Sequence, residues 1–76
     1  MSKYLSDARH YAKQIRHYHE HGGARGYTAS LPYFHEFGNL MKRAGKSRIG
    51  KGDVPFIHAI YKDMKILMEE MQIRSD

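Results

Sequence analysis

The sequence predicts an all-α fold: a small three-helix domain with a glycine-rich first loop and a basic Gly/Lys/Arg connector before the third helix. Apolar residues recur at helical spacing in three stretches. Glycine and Asp-Val-Pro punctuation divides those stretches. A chain of 76 residues has room for one domain with one modest core. The expected organisation is therefore a single helical domain over 1–76, in which each amphipathic stripe finds a partner.

In the first stretch Tyr4, Ala8, Tyr11, Ile15 and Tyr18 step by four and three, which places them on one helical face. Leu5, Ala12 and His19 widen that stripe. Ser2 or Ser6 can cap the start and Gly22-Gly23 is a strong stop, so this helix should run over about 3–21. Gly22 to Ser30 holds three glycines and no helical period. It reads as a loop, with a short extended piece at Tyr27-Thr28.

Ser30 followed by Pro32 resembles a helix entry: a capping hydroxyl, then a ring with preset φ in the first turn. The second helix, over about 31–44, carries Leu31, Phe34, Phe37, Leu40, Met41 and Ala44 on its apolar side. Gly38 in its middle costs ~1 kcal/mol against alanine, which points to a kink or a close crossing. Gly45 suits the residue just past the helix end. Asp53 can cap the third helix, over about 54–73, with Pro55 in its first turn. Phe56, Ile57, Ile60, Tyr61, Met64, Leu67, Met68 and Met71 form its broad apolar face.

Composition narrows the function. Lys plus Arg number 13 against 8 Asp plus Glu, giving a net charge of +5 and a pI near 9.6. A hydrophobic fraction of 41% suffices for a globule. With no cysteine, disulfides and thiolate metal sites are excluded. No apolar run approaches the ~18 residues of a spanning helix, and Met1-Ser2-Lys3-Tyr4 lacks the apolar core of a signal peptide. The expected location is cytoplasmic, with no membrane partner.

The charge is concentrated between Gly38 and Gly52. Lys42, Arg43, Lys46, Arg48 and Lys51 lie there, with no acid between Phe37 and Gly52. Such a connector, expected as a mobile loop, suits a phosphate backbone or an acidic protein face. On the first helix, Arg9, Lys13 and Arg16 lie together opposite the apolar stripe and could supply the other half of a phosphate-binding surface. An ordinary solvated face explains them equally well. Asn39 and Gln14 are the only amides placed to read bases, so no case for sequence specificity arises.

Sharper motifs fail. Ala44-Gly45-Lys46-Ser47 could begin a helix-turn-helix turn, but Gly50 and Gly52 break the recognition helix that should follow. Gly45-Lys46-Ser47 matches the tail of a P-loop, yet Leu40 occupies the place of its first glycine. His17 and His21 lie one turn apart, but no clear third and fourth ligand joins them, so no metal site and no cofactor is expected. Protonation of the histidines would instead raise the positive charge below neutrality. No nucleophile-base pair or pair of opposed carboxylates survives, so the chain is not expected to be an enzyme.

Tyr4, Tyr11 and Tyr18 carry a heptad spacing that belongs to a core or a seam. Tyr27 and Tyr33, in or beside the glycine-rich loop, are candidate contact aromatics. Ala59, Ile66 and Ile73 recur every seven residues on the far side of the third helix, a candidate protein interface or homodimer seam. Four methionines or isoleucines at this end suit an adaptable contact surface.

The expectation is a small, basic, non-enzymatic binding protein acting on nucleic acid or a nucleic-acid-handling complex. The alternative is a phage-type inhibitor, anti-defence and of the anti-CRISPR kind, that blocks a host nucleoprotein machine. A helical dimer or adaptor with no nucleic-acid role is the third reading.

Overall fold

The computed structural model describes residues 2–75. Three helices, α1 (Lys3–His21), α2 (Gly26–Lys46) and α3 (Val54–Arg74), are joined by 3-10 turns at Gly23–Arg25 and Lys51–Asp53. They form an up-down-up bundle measuring 42 × 17 × 15 Å. Two contacts fix α1 parallel to α3. At one end the Ser2 backbone N–H donates to the Asp53 carboxylate at 3.0 Å, and at the other His19 Nε2 hydrogen-bonds the Glu70 carboxylate at 2.8 Å. Arg74 adds a bond to the His19 carbonyl, placing a cation where the α1 dipole is negative.

The core is built from the expected stripes. Leu5, Ala8, Ala12 and Ile15 of α1 meet Phe37, Leu40 and Ala44 of α2 and Ile57, Met64, Met68 and Met71 of α3, all buried. Tyr4, Tyr11 and Tyr18 pack against its edge. Ser2 caps α1 by accepting the Leu5 N–H, and Gly22 closes it.

The start of α2 differs from expectation. Residues 22–30 are not an open loop. The helix begins at Gly26 and includes Tyr27-Thr28. The reason is steric: a Cβ on Gly26 would sit 2.8 Å from the Tyr18 carbonyl oxygen and 3.2 Å from Met71 Sδ. Only glycine lets α2 start this close to both neighbours. Ser30 is consequently not a cap. It is fully buried, and its hydroxyl donates to Met71 Sδ at 3.6 Å. Pro32 lies inside the helix. Its missing N–H leaves the Thr28 carbonyl without an i+4 donor, tolerable because both residues lie on the exposed side.

Other local expectations change for similar reasons. Gly38 marks no close crossing, since a Cβ there would meet nothing within 4 Å. Gly45 is still helical, and α2 runs to Lys46 with Ser47 as its C-cap. Asp53 makes no capping bond to α3. It already has helical φ and ψ, which aim its side chain away from the following amides, and its carboxylate is engaged by Ser2. Phe56 is 61% exposed instead of joining the core face, whereas Met64, Met68 and Met71 of that face are buried as expected.

Candidate functional site

The connector is wound, not open. The Lys51 N–H donates to the Ser47 carbonyl at 2.9 Å, the Asp53 N–H to the Gly50 carbonyl at 3.0 Å, and the Ile49 N–H to the Ser47 hydroxyl at 3.2 Å. Gly50 is buried in this turn, where a Cβ would lie 2.6 Å from the Tyr4 ring and 3.0 Å from Ala44 Cα. The turn is thereby pinned to α1 and α2. Its cations are presented from a fixed backbone, which lowers the ordering cost of binding.

The start of α1, the end of α2 and the start of α3 share this end of the bundle. Lys3, Lys42, Arg43, Lys46, Arg48 and Lys51 are exposed there. Among the described residues, no carboxylate lies within the 4.0 Å ion-pair distance of any of them. Asp53, the nearest acid in sequence, is bound to Ser2. The hydrogen bonds from Ser2, through hydroxyl and backbone, and the more distant charge of Arg9 hold its carboxyl below the usual value. Uncompensated cations on a convex end make a local positive potential.

Arg9, Lys13 and Arg16 are exposed on α1. Tyr18 meets Tyr33 of α2 with ring centroids 6.1 Å apart, so the tyrosine edge of α1 faces α2. The charge of Arg9 is felt at Asp53, at the foot of α3. Lys13 and Arg16 lie one and two helical turns beyond Arg9 along α1, away from the connector.

The opposite end is histidine- and acid-rich. His17 and His21 rings lie 5.2 Å apart, His19 is held by Glu70, and His21 lies 3.6 Å from Glu20. Among the described residues, no group of three or more His, Asp or Glu side chains is placed to hold a metal ion. No described helix is long and apolar enough to cross a membrane.

The two candidate aromatics part company. Tyr33 is half-buried against Tyr18 and belongs to the α1–α2 packing. Tyr27 lines an open groove between α2 and α3. This groove, absent from the sequence reading, consists of two adjoining cavities of about 310 and 290 Å³ that share Phe34 and His35. The first adds Leu31, Lys65, Met68, Glu69 and Gln72, the second Gly38, Asn39, Lys42 and Tyr61. Phe34 and Tyr61 stack at 5.0 Å with their planes 11° apart. Asking which flanks of α2 and α3 face each other would have found it. Positions 27, 31, 34 and 38 form one such flank, 61, 65, 68 and 72 the other.

Ala59, Ile66 and Ile73 all point away from the core, with Ile66 55% and Ile73 83% exposed. Ile49, in the connector, is 75% exposed. No protein-family description matches this chain, and neither a curated protein nor a solved structure is significantly similar to it.

Proposed function

We propose that this protein is a non-enzymatic nucleic-acid-binding protein that grips phosphates with the connector end of its bundle. The observation that supports this reading is the set of exposed, unpaired cations Lys42, Arg43, Lys46, Arg48 and Lys51, joined there by Lys3. Binding would proceed by release of condensed counterions, with log affinity falling about 0.9 per duplex phosphate for each decade of salt. A triple Lys46→Ala, Arg48→Ala, Lys51→Ala variant tests it by fluorescence anisotropy on mixed-sequence DNA and RNA over a salt series. The expected result is weaker binding at low salt and a shallower salt slope, with unchanged helicity. Unchanged affinity would reduce the connector to a solubilising turn.

One observation favours a second reading. Ile49 and Phe56 are exposed at the same end as the cations. Apolar side chains ringed by charge suit a protein partner with an acidic rim. On that reading the chain is an inhibitor, of the phage anti-defence kind, that covers a nucleic-acid-handling surface. Loss of partner capture by Ile49→Ser with intact oligonucleotide binding would favour it.

A further inference from the structure

We infer that the α2–α3 groove accommodates unstacked bases, so that the preferred ligand of this protein is single-stranded nucleic acid. The inference rests on the phosphate-binding reading above and deepens it. Lys42 is the link, since it lines the second cavity and lies one helical turn from Lys46 at the cationic end. A strand whose backbone runs over Lys46 and Lys42 therefore reaches the groove without leaving positive charge. Lys65 continues that charge along the α3 wall.

Inside, the chemistry suits bases better than an aliphatic helix. Phe34 and Tyr61 present a stacked aromatic pair, Tyr27 a third ring farther along, and Asn39 and Gln72 supply amides at the rim. Aromatic platforms interleaved with cations are how single strands are held without sequence preference. Glu69, also at the rim, repels phosphate and keeps the backbone on the Lys42 and Lys65 side, while its oxygens can accept from exocyclic amines. A paired duplex cannot use these cavities, because its bases are stacked on one another. Single-stranded RNA and DNA share this chemistry, and both serve as probes.

The test is a groove-blocking variant, Gly38→Leu. Gly38 lines the second cavity and a Cβ there meets nothing within 4 Å, so leucine adds bulk to the cavity wall, and it favours the helix. Short labelled mixed-sequence oligonucleotides, as single-stranded DNA, as single-stranded RNA and as duplex, are titrated against wild type, Gly38→Leu and the connector triple variant. Circular dichroism confirms the fold of each. Wild type should prefer the single strands. Gly38→Leu should weaken single strands by about tenfold or more, the scale of one lost base–aromatic contact, and leave duplex affinity unchanged. The chain has no tryptophan, so quenching of tyrosine emission by single strands only, lost in Gly38→Leu, is a second expected readout. Equal binding of duplex and single strand, or a Gly38→Leu variant that binds single strands as wild type does, overturns the groove inference. If the connector variant then still loses both ligands, the phosphate-binding reading stands alone. No binding of any oligonucleotide by wild type at low salt overturns both.

Discussion

The packing face of α1 is centred on alanines, whereas the edge of the α2–α3 seam is a stacked ring pair. Ala8 and Ala12 are fully buried at the centre of the α1 face, and α1 packs closely on both other helices. On the α2–α3 side, Phe34 lies against Tyr61, and open cavities flank the pair. Both seams derive from ordinary amphipathic stripes. The size of the residues at the seam edge decides whether it closes or gapes. Small side chains let backbones approach and exclude water, while a ring pair wedges the helices and leaves unfilled apolar volume beside it. In so small a domain the closed seams carry most of the packing.

The largest expected effect strikes the closed seam. Ala12→Leu would overpack a site with no accessible surface, at a cost of about 1–3 kcal/mol. A fall in Tm of roughly 4–8 °C per kcal/mol, read by thermal melting, checks it. A variant that melts with wild type would mean that the α1 seams are as compliant as the groove. Next comes the wedge. Phe34→Leu forfeits the ring stack, worth about 0.5–1.5 kcal/mol beyond its buried area, and should let α2 and α3 draw together. Denaturant titration reads the loss, and nuclear Overhauser contacts between residues 34 and 61 read the closure.

The open seam should respond in the opposite sense to added bulk. Gly38→Ala fills empty space and removes a glycine from a helix interior, so it should stabilise by up to ~1 kcal/mol. A loss of stability instead would show that the α2 backbone is tighter than its surroundings imply. On the outer surface of α3, Ile66→Glu with Ile73→Glu should change stability by less than about 0.5 kcal/mol, because neither side chain supports the core. Sedimentation of wild type and variant adds the oligomeric state, and a dimer lost in the variant would assign that stripe to self-contact.

The smallest effect is read in the pH dependence of stability. Asp53 carries a carboxyl whose folded pKa is depressed, chiefly by Ser2. The stability it contributes is present in full above the unfolded value near pH 4 and is lost as pH falls through the folded value. Asp53→Asn should therefore lower the neutral plateau slightly and flatten the acid limb, so that the variant and wild-type curves converge below about pH 4. Superimposable acid limbs would show that the Ser2–Asp53 link is idle in solution.

Legibility followed the range of the interactions. α1 and α3 were readable nearly to their ends because Gly22 and the Asp53-Val54-Pro55 segment act locally. The start of α2 was not, because Ser30 and Pro32 imitate an entry while the true start depends on Gly26 fitting under Tyr18 and Met71, contacts made across the bundle. The connector cations were visible as a run. Tyr27 was singled out for its place in a loop, and lines the groove from within a helix.

By itself, then, the sequence determined the helical class, the stripes that become the core and the concentration of charge before the third helix, because period and composition are local properties of the chain. Only the tertiary structure decided that the connector is a pinned turn, that Phe56 stays outside, and that a groove opens between α2 and α3. Those outcomes depend on which flank of each helix meets which neighbour, and on the size of the side chains that meet there. A one-dimensional pattern specifies that a face is apolar, but not how closely two such faces can approach.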